Sequence, residues 1–354
     1  MSLRKYFVIA LFFMSCMPGL QAQGPGKEII NPLLPSGADP WVTYHDGFYY
    51  YTNTMGNNLT LWKTQSLADL KTAEKTIVWT PPATGPYSHD IWAPELHFVR
   101  GKWYLYFAAD AGTNDSHRIW VLENSSPNPL EGRWRMKGQM TDKTNRWAID
   151  PTLLEDRGRL YLVWSGWEGS VNGVQSIYMA RLSNPWTVVG LRVRLSTPEY
   201  PWEKVGDLTS PGRISDMPHV EVNEGPEILK HGGKIFLVYS ASGCWTDYYE
   251  LGMSIATSGA NLMNPASWRK LDHPVFRQAP ENSVYAPGHN SFFQSPDGKE
   301  DWIVYHANSA PGEGCGAHRS PRAQRFHWRE DGTPDFGKPA SLNDNTAPRS
   351  GVLQ

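Results

Sequence analysis

The sequence predicts an all-β fold: a five-bladed β-propeller in a single domain, with four antiparallel strands in each blade. Three observations predict it. One hairpin pattern recurs five times along the 354 residues, aromatic residues make up 12% of the chain, and no segment of useful length has a helical pattern. Repeated hairpin units of similar spacing are typical of propellers, whose blades pack face to face around a central axis.

Each of the five units is a short apolar strand, a glycine turn and a second strand rich in aromatic or β-branched residues, which is the signature of a β-hairpin. A third strand follows each hairpin, and a weaker fourth strand often begins at a tryptophan, as at Trp134 and Trp268. A β-sandwich with coincidental hairpins is the alternative, and five units at similar spacing disfavour it. The turn glycines are Gly47, Gly101, Gly158, Gly233 and Gly298.

Composition limits the partners of this chain. The formal net charge is −2 and charged residues are 19% of the sequence, which argues against a nucleic-acid partner because such a partner requires a basic face. The chain contains 16 tryptophans. We interpret most of them as packing residues between blades and a few as a surface that stacks on a ligand. Trp92, directly before a blade-two strand, is the best candidate for stacking on a sugar ring.

The N-terminus has the layout of a secretory signal peptide: a basic start, an apolar run and a polar, small-residue stretch ending near Ala22. We therefore expect a signal peptide over residues 1–22 and the propeller domain over residues 23–354. A lipid anchor through Cys16 is the alternative, but Phe13 and Met14 fit a lipobox poorly. No other apolar run approaches the ~18 residues of a transmembrane helix. We expect an exported protein, periplasmic or extracellular, without a membrane span.

Export leaves two cysteines, Cys244 and Cys315, in an oxidising compartment where disulfides persist. Both lie in loops flanked by glycine. One disulfide and two unpaired thiols are equally compatible with the sequence, and two cysteines alone do not make a zinc site.

One aligned position in the five hairpins carries the candidate chemistry. Because the innermost strands of a propeller converge on its axis, we expect the side chains that open these strands to meet at the mouth of the central channel. Crowded carboxylates in such a pocket push their pKa values apart, as acid–base catalysis needs. Direct metal ligation by the same side chains is the alternative, although no local ligand motif is present. The residues at this position are Asp39, Ala93, Asp150, Gly225 (with Glu224 directly before it) and His289.

The motifs around these residues resemble glycoside hydrolase family 43, whose members are five-bladed propellers that hydrolyse arabinose- and xylose-containing polysaccharides. The matching segments occur in the family's order and span essentially the whole mature chain. They are Ala38-Asp39-Pro-Trp, Trp92-Ala-Pro-Glu-Leu-His, Ala148-Ile-Asp150-Pro, Asn223-Glu224-Gly-Pro and Pro287-Gly-His289-Asn-Ser.

The resemblance implies a role for each residue that matches a motif. Asp39 is similar to the family's general base, Glu224 to its general acid, and Asp150 to the third carboxylate, which orients the acid and keeps its pKa high. His289 resembles the axial histidine beneath the sugar site that approaches a hydrated, structural calcium ion. Arg322 matches a blade-five pattern and is predicted to bind substrate. The resemblance implies that no cofactor is required for catalysis.

The resemblance further implies inversion of configuration, with acid and base carboxyl groups ~6.5–9.5 Å apart. The sequence around Asp39 and at Gly243-Cys-Trp is most similar to that of the family's α-L-arabinofuranosidases. We therefore expect a monomer that releases L-arabinofuranose from arabinan or arabinose-decorated plant polysaccharide. A β-xylosidase, an exo-β-galactosidase and a non-catalytic sugar-binding propeller are the alternatives. A sialidase-type propeller is disfavoured because its repeated Ser-x-Asp-x-Gly-x-x-Trp box is missing.

Overall fold

The computed structural model describes residues 27–206 and 220–342. It confirms the five-bladed propeller: twenty strands form five four-stranded antiparallel sheets, and each sheet is built from four strands that are consecutive in the chain. The predicted signal peptide, including Cys16, lies outside the described residues. Within the described ranges no helix is both long and apolar enough to cross a membrane.

The strands fall where the hairpin pattern predicts them. Blade one contains β1 (Trp41–His45), β2 (Phe48–Thr52), β3 (Leu59–Thr64) and β4 (Glu74–Trp79). Blade two contains β5 (His89–Val99), β6 (Lys102–Asp110), β7 (Arg118–Asn124) and β8 (Arg135–Met140). Blade three contains β9 (Ala148–Asp156), β10 (Arg159–Trp167), β11 (Gln175–Asn184) and β12 (Thr187–Ser196).

Blades four and five follow the same order. Blade four contains β13 (Asn223–His231), β14 (Lys234–Ala241), β15 (Glu250–Thr257) and β16 (Arg269–Lys270). Blade five contains β17 (Tyr285–Gln294), β18 (Asp301–Asn308), β19 (Ser320–Trp328) and β20 (Pro334–Asp335). The helical segments in the described ranges are short 3₁₀ turns: Leu67–Thr72, Asn114–Ser116, Pro201–Glu203, Pro265–Ser267 and Pro280–Asn282.

Glycine closes the hairpin turns because the backbone there is left-handed, a conformation that costs other residues about 1–2 kcal/mol. All five predicted turn glycines have φ between 69° and 83°. The second strands then carry the large side chains into the spaces between blades. Three tryptophans of the second strands, Trp103, Trp167 and Trp302, are buried. Trp103 of blade two, for example, packs in one cluster with Leu59 and Leu61 of blade one.

The segment before β1 closes the ring. It runs beside β19 of blade five, where the Leu33 N–H donates to the Pro321 carbonyl at 2.8 Å. The buried Asn31 side chain exchanges two hydrogen bonds with the Ala323 backbone, at 3.0 and 2.9 Å. Blade one is therefore tied to blade five by the chain that leads into Asp39.

Cys244 and Cys315 form a disulfide, with their Cα atoms 5.2 Å apart. Of the two alternatives that the sequence leaves open, the structure contains the bridge. It joins the loop after β14 to the loop after β18, so it crosses from blade four to blade five.

Candidate active site

The five aligned positions are equivalent in the structure, because all five residues have a left-handed backbone. One expectation is corrected: only Asp39 precedes its strand, whereas the other four lie inside the innermost strands. The strand register shifts beside each of these four, as it does at a β-bulge. The φ values are 58° at Asp39, 44° at Ala93, 54° at Asp150, 51° at Gly225 and 46° at His289.

The left-handed backbone at these positions turns N–H groups toward neighbouring blades. Four of the five amides donate to a side chain of the preceding blade, which connects the innermost strands around the channel. The bonds run from Ala93 to Thr54 Oγ1 (2.7 Å), from Gly225 to Asp150 Oδ2 (3.0 Å), from His289 to Ser240 Oγ (2.8 Å) and from Asp39 to His306 Nδ1 (3.0 Å).

Asp39 is the most heavily contacted carboxylate of the site. Its Oδ2 accepts a hydrogen bond from the Thr54 hydroxyl at 2.6 Å. Its Oδ1 lies 3.2 Å from His289 Nδ1, 3.5 Å from His306 Nδ1 and 3.4 Å from Arg319 Nη1. Burial alone would raise the pKa of Asp39, but His289, Arg319, His306 and the Thr54 hydroxyl lower it far below its usual range. Asp39 is therefore ionised.

The two imidazoles differ from Arg319 in their charge. Burial lowers the pKa of His289, and it lowers the pKa of His306 well below its usual range. Both rings are therefore neutral near pH 7, and the His306 Nδ1 accepts the Asp39 N–H. The guanidinium of Arg319 remains as the permanent positive charge beside Asp39.

The surroundings of Glu224 favour its protonated form, whereas those of Asp39 favour the ionised form. Its Oε1 accepts a hydrogen bond from the Tyr249 hydroxyl at 2.9 Å. Burial and the negative charge of Asp39 raise the pKa of Glu224 to about 7, against the lowering effects of the Tyr249 hydrogen bond and Arg319. The pKa values of Asp39 and Glu224 are thus pushed apart, one carboxyl group being ionised and the other holding its proton up to neutral pH.

Asp150 connects to the strand that carries Glu224. The Asp150 Oδ2 accepts the Gly225 N–H at 3.0 Å, and Asp150 is 6% exposed. Burial raises the pKa of Asp150 well above its usual range, and the neighbouring charges of Glu224 and Asp39 raise it further. Three carboxyl groups in one partly water-excluded site therefore carry fewer than three negative charges at neutral pH.

His289 is the predicted neighbour of a calcium ion. The Nδ1 of this ring faces the Asp39 carboxylate at 3.2 Å. Among residues 27–206 and 220–342, no group of three or more His, Cys, Asp or Glu is arranged to hold a metal ion. Direct metal ligation by Asp39, Asp150 and Glu224 gains no support from this arrangement. A calcium ion held through water at His289 stays a prediction.

The other two predicted binding residues have structural contacts. Trp92 is partly exposed, and one face of its indole stacks on His117 with ring centroids 4.0 Å apart. Arg322 is fully buried in β19 and donates to the Asn308 carbonyl and the Ser309 hydroxyl. Arg319, three residues earlier, is the arginine that reaches Asp39. Substrate contacts of Trp92 and Arg322 stay predictions.

The sequence matches the model of Glycosyl hydrolases family 43 over residues 29–334. The chain belongs to this family. The matched residues span all five blades and include Asp39, Asp150 and Glu224.

Relatives within family 43 support the assignment. The chain is 39% identical over 326 residues to an extracellular exo-α-(1→5)-L-arabinofuranosidase of Streptomyces avermitilis, covering 90% of this chain and 65% of the relative. It is 41% identical over 301 residues to the enzyme of the same name from Streptomyces chartreusis, covering 83% and 87% of the two chains. The chain thus spans slightly less than two thirds of the Streptomyces avermitilis protein.

A solved structure agrees with the fold of this family 43 chain. The crystal structure of an α-L-arabinofuranosidase from Lactobacillus brevis superimposes with a TM-score of 0.81 at 35% identity. The match covers 89% of this chain and 98% of the Lactobacillus brevis chain.

Four residues of the cluster were not predicted from the sequence: Thr54, Tyr249, His306 and Arg319. The hairpin register carries a signal for one of them. Trp41 of β1 pairs with Thr52 of β2, so Asp39, two residues earlier, lies across from Thr54, two residues later. Tyr249 and Arg319 sit at loop ends outside the repeated hairpins, and no spacing in the sequence indicates where they point.

Proposed function

We propose that this chain is an α-L-arabinofuranosidase that hydrolyses its substrate with inversion of configuration. The opposite protonation states of Asp39 and Glu224 carry the proposal of glycoside hydrolysis, which needs one ionised and one protonated carboxyl group. Inversion is the outcome that the resemblance to family 43 implies. The choice of sugar is supported by the relatives, since the two Streptomyces proteins are named extracellular exo-α-(1→5)-L-arabinofuranosidases. Arabinan or arabinose-decorated polysaccharide is the substrate class that this proposal implies.

In the proposed reaction Glu224 donates its proton to the glycosidic oxygen as the bond from that oxygen to the anomeric carbon breaks. A water molecule on the opposite face of the sugar forms the new bond to the anomeric carbon and gives its proton to Asp39. Asp150 positions Glu224, because its Oδ2 accepts the N–H of Gly225, the next residue in the chain, at 3.0 Å. Acid and base regain their starting states when the two protons exchange with solvent.

The proposal includes an exported protein. The matching Streptomyces proteins are named extracellular, and the Cys244–Cys315 disulfide is a bond that persists in oxidising compartments. A polysaccharide substrate too large to cross a membrane fits the same location. Secretion of the full chain, followed by N-terminal sequencing of the product, tests cleavage after Ala22.

The variants Asp39→Asn and Glu224→Gln test the catalytic assignment. Each keeps the side-chain shape but removes the charge or the transferable proton, so kcat on 4-nitrophenyl α-L-arabinofuranoside is expected to fall about 10²- to 10⁴-fold. The exposed Asp115→Asn and Glu330→Gln serve as matched controls and are expected to leave kcat unchanged. Wild-type turnover in both site variants would contradict the assignment.

Two further measurements separate the alternatives. Product NMR that shows the β-anomer first supports inversion, and retention of configuration contradicts it. Aryl β-xyloside and β-galactoside substrates assayed beside the arabinofuranoside identify the sugar. Binding to arabinan without any hydrolysis would favour the non-catalytic sugar-binding propeller.

A further inference from the structure

Two loops on blades four and five flank the catalytic cluster and are joined to each other. Loop 242–249 connects β14 to β15, and loop 309–319 connects β18 to β19. The Cys244–Cys315 disulfide crosses between them, with Cα atoms 5.2 Å apart. A second contact lies nearby, since the Gly312 N–H donates to the Asp247 carboxylate at 2.8 Å.

Each loop ends on a residue that contacts one member of the proposed acid–base pair. Loop 242–249 ends at Tyr249, whose hydroxyl donates to Glu224 Oε1 at 2.9 Å. Loop 309–319 ends at Arg319, whose Nη1 lies 3.4 Å from Asp39 Oδ1. The bridge is five residues before Tyr249 and four residues before Arg319. One covalent bond thus lies close in sequence to both contacts.

Besides the bridge, hydrogen bonds hold loop 309–319: the Ser36 hydroxyl donates to the Ala317 carbonyl at 2.7 Å, and the Gly37 N–H donates to the Arg319 carbonyl at 2.9 Å. It contains Gly312, Gly314 and Gly316, and most of its residues are exposed. Glycine loses more conformational freedom on ordering than any other residue, so this loop depends on its hydrogen bonds and its disulfide to keep one conformation. The Arg319 Nε bonds to the Gly316 carbonyl inside the same loop at 3.4 Å. The position of Arg319 therefore depends on the conformation of the loop.

Loop 242–249 is packed more tightly. Its Gly243 is covered by the Trp245 ring, which would lie 2.3 Å from an added Cβ atom. The Trp245 Nε1 donates to the Gly206 carbonyl, and the Gly243 N–H donates to the Val205 carbonyl. The disulfide therefore joins a well-anchored loop to an exposed, glycine-rich one.

We propose that the Cys244–Cys315 disulfide is a positioning element of the active site, which holds Arg319 against Asp39 and keeps Tyr249 in contact with Glu224. The inference rests on the proposed glycosidase activity and adds two positioning residues, Tyr249 and Arg319, to it. Opening the bridge leaves the five blades in place, because their sheets and interblade clusters do not depend on either loop. It removes the one covalent link between the loop that carries Arg319 and blade four.

The double variant Cys244→Ser/Cys315→Ser tests the proposal. Its kcat is expected to fall about 10- to 100-fold, the loss that misplaced catalytic groups cause, while KM changes less. The loss is expected to be larger on a phenyl arabinofuranoside than on a 2,4-dinitrophenyl arabinofuranoside, because only the poorer leaving group needs the proton of Glu224. A disulfide that served stability alone would not produce this dependence on the leaving group.

Gly233→Ala provides a matched control. It strains a left-handed hairpin turn of blade four, where an added Cβ atom meets no other group within 4 Å. It is expected to lower the midpoint of thermal unfolding but leave kcat on both substrates unchanged.

A measurement on the wild-type protein covers the case in which the double variant fails to fold. Folded enzyme is reduced with dithiothreitol below its unfolding temperature, assayed on both substrates, and assayed again after reoxidation. The proposal predicts a reversible loss of kcat with unchanged circular dichroism. Equal kcat before and after complete reduction, shown by thiol titration, would overturn it. The oxidised enzyme's activity on the same substrates separately establishes or refutes the proposed function.

Discussion

Thr54 uses one hydroxyl group for two bonds across the site. The hydroxyl donates to Asp39 Oδ2 at 2.6 Å and accepts the Ala93 N–H at 2.7 Å. It therefore fixes the proposed base and the neighbouring bulge of blade two at once. A side chain with this pair of bonds holds the Asp39 carboxylate in one orientation.

Thr54→Val is expected to lower kcat about tenfold or more, because the freed Asp39 carboxylate loses its orientation. The free energy of unfolding is expected to fall by about 1–3 kcal/mol, since the Ala93 N–H loses its partner. Thr54→Ser keeps the hydroxyl and serves as the control, with near-wild-type kcat. Steady-state kinetics and urea unfolding measure the two effects, and equal kcat in both variants would contradict the role of the hydroxyl.

The pH dependence of kcat/KM follows from the two carboxyl groups of the acid–base pair. Glu224 must hold its proton, so kcat/KM is expected to fall as pH rises through about 7. Asp39 must be ionised, and its lowered pKa keeps it ionised through the moderately acidic range. The profile should therefore be flat below the alkaline limb until acid unfolds the protein.

Tyr249→Phe is expected to move the alkaline limb to higher pH. The Tyr249 hydroxyl stabilises the ionised form of Glu224, so its removal raises the pKa of that carboxyl group. Tyr248→Phe, at the exposed neighbouring residue, is the control and should leave the limb in place. A limb that stays fixed in Tyr249→Phe would show that another group titrates.

The β-bulges of the innermost strands orient the residues of the site. A proline follows four of the five left-handed residues, and proline has no N–H for the strand ladder. The ladder must therefore break at this point, and the residue before the proline turns toward the channel. These prolines are a signal for the bulge that the sequence contains, although the prediction placed the residues at strand starts. The four residues are Asp39, Ala93, Asp150 and Gly225.

Gly225→Ala tests the bulge of blade four. An added Cβ atom would lie 3.1 Å from His289 Cγ and Nδ1, and φ at Gly225 is +51°. His289 contacts Asp39, so we expect kcat to fall about tenfold in addition to a loss of stability of about 1–2 kcal/mol. Gly233→Ala has the same backbone strain without the close contact and should lose stability alone. If the two variants had equal kcat, the contact with His289 would be irrelevant to turnover.

The elements and the site differ in how far the sequence predicts them. The hairpins are local, so glycine turns and alternating strands are enough to place all five blades. Asp39, Asp150 and Glu224 were found because the fold repeats their position. Tyr249 and Arg319 were not, since they end the loops between the second and third strands of blades four and five, and no repeated sequence pattern fixes the path of those loops. Arg322, which matched a pattern, lies three residues from the arginine that makes the contact.

At the scale of the whole molecule, the ring is closed by the segment around Asn31. Asn31→Ala removes two buried hydrogen bonds to Ala323 and is expected to lower the free energy of unfolding by about 1–3 kcal/mol. The exposed Asn261→Ala is the control and should change stability by less than about 0.5 kcal/mol. Urea unfolding followed by tryptophan fluorescence measures both. Equal stabilities would mean that the ring closes without this segment.

The amide bonds that pass from blade to blade around the channel have a consequence for refolding. Asp39, Asp150 and Glu224 come from blades one, three and four, while His289 and Arg319 come from blade five. A chain in which some blades have formed but the last has not yet docked has tryptophans in native surroundings and no assembled acid–base pair. Recovery of hydrolysis after dilution from denaturant therefore reports the docking of the last blade, which closes the ring. Tryptophan fluorescence reports the formation of the individual blades.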